Sequence, residues 1–419
     1  MKITDIIKNI FTIRNSGEHK EIIFTGIKFK FRNKNLVMKH KLDNLNMLVN
    51  QLLDRCNNTC FETNNEKLVN KLLQVNNINT PFLYKSDKNR KPFFETVRGY
   101  FQADMYINLI KNLDYKSVET VNSILGRVNT VLNSPEGMID LFTNNEMNKI
   151  LANKKLLKIN TLKLNENCFA YNKYLLPINY FDIHIFIDRY YIDTLNKDYF
   201  KDKDIIDAGG FVGDSAVIFS EYTNKCVYSF EPIKVNYENT LKTIELNKKK
   251  NIKAINLGLL EKDCEVEFDI YGAASSALFS RDNSKEVCKM TSLDKYVEEN
   301  NLKVGLIKTD LEGSEQQFLK GAEKTIKTQR PTLLISIYHT ASDFFNIKPL
   351  IESWDLNYNF RIVKPLDGEI MLETLLICEP AELECSGGGG TVVLVMSLSI
   401  KNSDAKKVKE LDFMQKIAA

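Results

Sequence analysis

The spacing of hydrophobic residues changes along the chain and divides it into two parts. Between about residue 43 and residue 155, apolar residues recur every three or four positions, a spacing that predicts amphipathic helices. The clearest stripes are Leu45, Leu48, Val49, Leu52 and Leu53, then Val118, Val121, Ile124, Leu125, Val128 and Val131. From about residue 166, short apolar runs alternate with amphipathic stretches, which is typical of an α/β domain. We therefore predict a mainly helical accessory domain over residues 1–165 and an α/β domain over residues 166–380.

The α/β part predicts a mainly parallel sheet. Strands are expected near residues 204–208, 226–231, 252–257, 304–310 and 332–337. Strands that alternate with helices form parallel sheets covered by helices on both faces. Two last strands, near 358–363 and 370–378, flank the turn sequence Pro365-Leu366-Asp367-Gly368, so we expect a closing antiparallel hairpin.

Two shorter segments carry local predictions. Residues Phe181–Asp188 alternate between apolar and polar positions, which predicts a strand that leads into the α/β domain. The sequence Ser134-Pro135-Glu136 predicts the start of a helix, with serine as the cap and proline at the first helical position.

The two ends of the chain have patterns of their own. An apolar stripe at helical spacing opens the chain and is formed by Ile3, Ile6, Ile7, Ile10 and Phe11. Residues 22–31 then alternate like a strand that carries cationic side chains. Residues 1–35 either pack on their own domain or lie on a membrane surface, and the sequence leaves both possibilities open. The tail, residues 381–419, contains the linker-like run Gly387–Gly390 and is left out of the functional interpretation.

A candidate ligand site lies between the first two predicted strands of the α/β part. The first strand ends at Asp207 and is followed by three glycines, Gly209, Gly210 and Gly213. Glycine has no Cβ atom, so the backbone can turn sharply and approach a ligand closely. The second strand ends at Glu231, where a carboxylate can accept hydrogen bonds from both hydroxyls of a ribose. This arrangement indicates a nucleoside cofactor but does not decide which one.

Four short blocks follow one another in a fixed order. They are Asp207-Ala208-Gly209-Gly210, Phe230-Glu231-Pro232, Thr291-Ser292-Leu293-Asp294 ahead of Ile307–Glu315, and Ile337-Tyr338-His339. Over roughly residues 166–380 the chain thereby resembles the FkbM-type family of S-adenosylmethionine-dependent methyltransferases. That family usually has Ala-Asn where this chain has Gly210-Phe211. The resemblance implies a class I, Rossmann-like methyltransferase fold and S-adenosylmethionine as the cofactor.

The resemblance also implies a function. The opening of the chain is similar to that of some bacterial sugar transferases, and together the two likenesses imply O-methylation of a sugar hydroxyl in a bacterial surface glycan or its precursor. Two alternatives stay open, a nicotinamide-dependent oxidoreductase and a cofactor-binding scaffold of glycan assembly that does not catalyse. The sequence does not define the acceptor or the oligomeric state.

Roles for the acidic residues follow from where ligands bind in an open α/β sheet, beyond the carboxyl ends of its strands. Asp207 and Asp214 are candidates for the methionine end of the cofactor, although Asp214 is also suited to cap a helix. Asp310 is expected to face the methyl group, where it would contact cofactor or acceptor. Glu312 and Tyr338 are candidate substrate residues, with helix stabilisation as the alternative for Glu312.

The candidate general base is His339, because the ordinary pKa of histidine, about 6.5, allows it to accept a proton near neutral pH. Asp310 then orients the acceptor or the cofactor. His184 is expected to be structural, and Lys308 is expected to pair with a carboxylate. No metal site is predicted, although carboxylates near a histidine could hold a divalent cation.

Composition narrows the partners. The net charge of +3 is too small to favour nucleic acid as the main partner. No run of about 18 apolar residues occurs, so no transmembrane helix is expected. Of the eight cysteines only Cys56 and Cys60 lie close together, which is typical of reduced thiols. These features predict a cytoplasmic protein, with peripheral membrane contact through residues 1–35 left open.

Overall fold

The computed structural model describes residues 11–16, 19–24, 27–32, 84–86, 91–269 and 285–381. The chain divides into two compact units, Met1–Pro81 and Phe82–Ala419. The predicted helical stripe at residues 45–53, the first ten residues and the tail lie outside the described residues.

The described part of the first unit is an antiparallel sheet of β1 (Phe11–Ser16), β2 (His19–Phe24) and β3 (Ile27–Arg32), in that order. Phe11 pairs with Phe24, and His19 pairs with Arg32. Residues 22–31, whose alternation predicted a strand, fall in the two paired strands β2 and β3. Phe11, which the sequence counted in the stripe at helical spacing, begins β1.

The second unit contains the other described strands. They are β4 (Tyr84–Ser86), β5 (Gly137–Ile139), β6 (Thr161–Asn165), β7 (Cys168–Tyr171), β8 (Tyr174–Leu176), β9 (Asp204–Ala208), β10 (Val227–Phe230), β11 (Ile252–Ile255), β12 (Gly258–Leu259), β13 (Cys264–Asp269), β14 (Lys285–Thr291), β15 (Val304–Thr309), β16 (Thr332–Ser336), β17 (Tyr358–Val363) and β18 (Leu375–Pro380).

Its described helices are α1 (Lys91–Tyr100), α2 (Ala103–Ile110), α3 (Tyr115–Asn133), α4 (Asn144–Asn160), α5 (Ile183–Phe186), α6 (Lys197–Phe200), α7 (Asp214–Phe219), α8 (Lys234–Leu246), α9 (Leu293–Asn300), α10 (Glu315–Gly321), α11 (Glu323–Gln329) and α12 (Ala341–Glu352), with a 3₁₀ turn at Arg189–Thr194.

A seven-stranded sheet in the order β11-β10-β9-β15-β16-β18-β17 forms the centre of this unit. Five neighbouring strands of this sheet, β11, β10, β9, β15 and β16, pair in parallel, whereas β18 runs antiparallel to both of its neighbours. All six residues of β15 are buried, as expected for a central strand covered on both faces. The predicted α/β fold, a mainly parallel class I methyltransferase sheet closed by an antiparallel hairpin, is confirmed.

The predicted helical stripe near residues 118–131 is confirmed as α3, in which Val121, Ile124, Val128 and Val131 are buried. These residues belong to the same hydrophobic core as Ile335 and Ile362 of the sheet. A hydrogen bond also joins β17 to α3, because Ile362 N donates to the side-chain oxygen Ser117 Oγ at 2.9 Å. Helices α1–α4 therefore share a core with the sheet, and the domain boundary near residue 165 stays a prediction.

Two local predictions are wrong. Phe181–Asp188 contains α5 instead of a strand, because Asp182 accepts a hydrogen bond from Ile183 N and caps a helical turn. Every residue of that turn is buried, so alternation of side chains does not decide its structure. Ser134 follows the end of α3 instead of starting a helix, and the next residues pair with β4 as β5.

Candidate functional site

Asp207, the fourth residue of β9, is fully buried and supports the site from below. Its carboxylate accepts hydrogen bonds from Ser215 Oγ, at 3.0 and 2.9 Å, and from Ser229 Oγ at 2.9 Å. Lys308 Nζ lies 3.2 Å from Asp207 Oδ1 and donates to the Gly209 carbonyl at 2.7 Å. The predicted pairing of Lys308 is confirmed. Asp207 thus ties the loop after β9 to β10 and β15, and its carboxylate lines neither of the cavities described below.

The glycine loop after β9 is packed too tightly for a side chain. A Cβ atom on Gly209 would lie 2.0 Å from the carbonyl oxygen of Asp310, and one on Gly210 would lie 2.0 Å from Ser229 Oγ. The amides of both glycines donate to the carbonyl of Phe230. The loop therefore lies directly against the ends of β10 and β15, and the approach to a ligand that the sequence predicted for these glycines stays a prediction.

Phe211 has a φ of 44°, in the left-handed region where asparagine is common and bulky residues are rare. This is the position at which the FkbM-type pattern usually has asparagine. The backbone keeps that conformation here because Phe211 N donates to Glu231 Oε2 at 2.9 Å and its carbonyl accepts from Thr240 Oγ1 at 2.9 Å.

Glu231 follows β10 and closes the loop from the other side. Its second oxygen accepts from Ile233 N at 2.9 Å. Burial raises the pKa of Glu231 to about 7, although these backbone hydrogen bonds act in the opposite direction. Glu231 faces a first cavity of about 90 Å³. The apolar wall of this cavity is formed by Ile233, Leu259, Leu260, Phe268 and Met290.

A second cavity, of about 430 Å³, adjoins the first. The two share Gly209, Phe211, Asp310 and Glu312 in their walls. The second cavity alone is lined by residues from distant parts of the second unit: Phe93, Tyr180, His184, Tyr190, Asp214, Lys308, Tyr338, His339 and Glu373. Two ligands bound side by side would thus meet at the carboxyl ends of β9 and β15.

Asp214 begins α7 at the edge of the second cavity and is almost completely buried. Its Oδ1 accepts a hydrogen bond from Ser215 N at 2.9 Å. Burial raises the pKa of Asp214 to about 7, with Lys308 opposing that shift.

His339 and Asp310 come together where the two cavities meet. His339 Nε2 lies 3.2 Å from Asp310 Oδ1, and His339 Nδ1 lies 2.9 Å from Glu315 Oε1. Neither contact has hydrogen-bond geometry, so both are ion-pair contacts. Glu312 is more distant, with Oε2 at 3.9 Å from Nε2. Tyr338 donates its hydroxyl to Asp310 Oδ1 at 3.0 Å, which fixes the orientation of that carboxylate.

These contacts set opposite protonation states. Burial alone would lower the pKa of His339, but the carboxylates of Glu315 and Asp310 hold it well above the ordinary value. Burial alone would raise the pKa of Asp310, but His339 and Lys308 hold it below the usual range. At neutral pH the site therefore contains an imidazolium beside a carboxylate.

Glu315 begins α10 and accepts hydrogen bonds from Leu311 N at 2.7 Å and Gly313 N at 3.0 Å. Glu315 also contacts His339, so it links the backbone of the loop to the histidine.

The sequence did not single out Phe93, Tyr180 or Glu373 as residues of the site. They belong to α1, to the segment before α5 and to the segment before β18, and no motif surrounds any of them. His184, expected to be structural, lines the second cavity.

Residues 207–362 match the sequence profile of the methyltransferase FkbM domain. The chain contains an FkbM methyltransferase domain. The resemblance stated from four sequence blocks is confirmed, and the match supports methyltransferase activity for this part of the chain. S-adenosylmethionine is the methyl donor of the FkbM family, so the predicted cofactor is confirmed at the level of the family.

The matched relatives cover different shares of this chain. Methyltransferase 1 of Beauveria bassiana (strain ARSEF 2860) is 25% identical over 203 residues, which are 42% of this chain and 80% of that protein. The crystal structure of methyltransferase FkbM from Methylobacillus flagellatus KT is 16% identical with a TM-score of 0.42, and the match covers 69% of this chain and 59% of that one. An rRNA methylase from Streptococcus thermophilus is 14% identical with a TM-score of 0.27, over 43% of this chain and 87% of that one.

Within the described residues, no helix is long and apolar enough to cross a membrane.

Proposed function

We propose that the FkbM domain transfers the methyl group of S-adenosylmethionine to a sugar hydroxyl, in a bacterial surface glycan or its precursor. The observation that carries this proposal is the junction of two cavities at Gly209, Phe211, Asp310 and Glu312. The apolar wall of the first cavity suits a nucleoside, and the second cavity is large enough for a separate acceptor. Methyl transfer requires the two reactants to meet in line at one point.

The first cavity is assigned to the cofactor. Its apolar wall suits an adenine ring, and Glu231 lies where a ribose diol would donate hydrogen bonds. The methionine end would then extend along the glycine loop toward Asp214. Asp310, whose negative charge favours a cation, would then hold the sulfonium end.

The second cavity is assigned to the acceptor. Its wall contains carboxylates and a tyrosine hydroxyl, which suit the many hydroxyl groups of a sugar. These residues are Asp310, Glu312, Glu373 and Tyr338. The same carboxylates repel phosphates, which supports the expectation that nucleic acid is not the partner.

The reaction forms a C–O bond as the C–S bond breaks, with S-adenosylhomocysteine as the leaving group. The acceptor hydroxyl loses its proton during the attack, and we assign that proton to His339. Because the carboxylates keep His339 protonated at neutral pH, only its neutral form acts as the base. Asp310, held by Tyr338, positions the reactants.

The test combines binding with turnover. The full chain is titrated with S-adenosylmethionine by calorimetry and then incubated with glycan precursors, with S-adenosylhomocysteine and the mass of one added methylene as readouts. Asp193→Asn, an exposed change that lies in neither cavity wall, serves as the control. Binding without turnover on any acceptor pool would favour the non-catalytic scaffold, and methylation of an acceptor other than a sugar would contradict the proposed substrate.

A further inference from the structure

A second histidine–carboxylate group lies at the second cavity, apart from His339. Asp182 caps α5, His184 lies within that helix, and Glu373 precedes β18. One ligand atom from each of the three lies within 4.8 Å of the others. Two carboxylates and one imidazole form a donor set that divalent transition metals accept.

The histidine of this group is buried without a hydrogen bond. His184 is 7% exposed, and its ring lines the second cavity. Neither ring nitrogen has a hydrogen-bond partner among the described residues. Nε2 lies 3.2 Å from Glu373 Oε2, without hydrogen-bond geometry. Buried polar atoms are satisfied in most proteins, so two open nitrogens on one ring require an explanation.

A bound metal ion would supply the missing partner of these nitrogens. A neutral imidazole is the form that binds metals. The carboxylates beside His339 accept hydrogen bonds from Leu311 N, Gly313 N and the Tyr338 hydroxyl, whereas Glu373 accepts none from the described residues.

We propose that Asp182, His184 and Glu373 bind one divalent first-row transition-metal ion at the wall of the second cavity. The three side chains leave coordination positions open toward the cavity, which water or an oxygen of a bound molecule would fill. Metal binding itself does not depend on the proposed reaction. That an acceptor oxygen takes one of these positions does rest on the proposed function.

The experiment uses the full chain, stripped with a chelator and titrated with Zn²⁺ by calorimetry and with Co²⁺ by visible absorption. We expect one ion per chain in the wild-type protein. His184→Ala and Glu373→Gln should each weaken the affinity by at least about tenfold. Glu379→Gln, whose partners are Arg361 and Asn196, is the matched control and should bind as wild type does.

His339→Ala separates the two histidine groups. Retained affinity in this variant, together with its loss in the other two, supports the proposed site. Failure of the wild-type protein to bind either ion, or wild-type affinity in His184→Ala or Glu373→Gln, overturns it. Circular dichroism checks each variant, and if His184→Ala does not fold, Glu373→Gln decides the result because Glu373 is only partly buried.

Discussion

At the scale of single residues, burial raises the pKa of Glu231 into the range where small changes in pH alter its charge. With a pKa of about 7, this carboxylate is partly protonated at neutral pH. Ribose hydroxyls donate more strongly to a carboxylate than to a carboxylic acid. Cofactor affinity should therefore fall as the pH decreases from 8 to 6.

Replacing Glu231 by Ala should weaken S-adenosylmethionine binding by about 1 to 3 kcal/mol, the scale of losing charge-assisted hydrogen bonds to a diol. Calorimetry at several pH values measures this effect. Glu231→Gln keeps the shape and should reduce the dependence on pH to the part that Asp214 contributes, since the pKa of Asp214 is also about 7. Unchanged affinity in the alanine variant would place the ribose elsewhere.

The second prediction at this scale concerns the base. His339→Ala should lower kcat by about 100-fold, because general base catalysis typically contributes that much, and should leave cofactor affinity nearly unchanged. The pKa of His339 is raised, so wild-type kcat should rise with pH from neutrality upward as the neutral imidazole forms.

Glu315→Gln removes the carboxylate that contributes most to the raised pKa of His339, so the rise of kcat should move to lower pH. The pH dependence of kcat for both proteins is the measurement. A flat profile from pH 6 to 9, with Asp310→Asn inactive and His339→Ala active, would transfer the role of base to the aspartate.

At the scale of secondary-structure elements, the turn from β9 to α7 depends on glycine. Gly209 has a φ of 80°, and an added Cβ atom would lie 2.0 Å from the backbone of Asp310. Gly209→Ala should therefore push β9 and β15 apart, lower the free energy of unfolding by roughly 2 kcal/mol or more and abolish cofactor binding.

Gly126→Ala is the control for this change. Gly126 lies inside α3, and nothing comes within 4 Å of an added Cβ atom. Alanine there should stabilise the helix by roughly 0.5 to 1 kcal/mol. Chemical denaturation measures both variants, and equal stability of the two would contradict the packing of the glycine loop.

At the scale of the whole molecule, the FkbM domain and the described site lie in the second compact unit. If residues 1–35 form a peripheral membrane contact, deleting them should preserve turnover of a soluble acceptor and abolish sedimentation with anionic liposomes. A longer deletion, of residues 1–81, follows the boundary between the units and controls for damage to the first unit. Liposome binding that survives both deletions would contradict this contact.

The sequence by itself determined the order of the strands along the chain, the glycine loop after β9 and the acids at the ends of β9, β10 and β15. Each of these features is local, because a strand and the turn that follows it depend on a few consecutive residues. The rule that ligands bind at the carboxyl ends of parallel strands then placed Glu231, Asp310 and His339 near one another before the fold was known.

Only the tertiary structure decided the protonation of His339 and the composition of the second cavity. Glu315 raises the histidine pKa because α10 brings its carboxylate within 2.9 Å, a distance that no local pattern encodes. Phe93, Asp182 and Glu373 meet at one cavity or its edge although they are far apart in the chain. Electrostatic energies depend on distance and burial, and both are set by packing between remote segments, so the sequence pattern alone could not supply them.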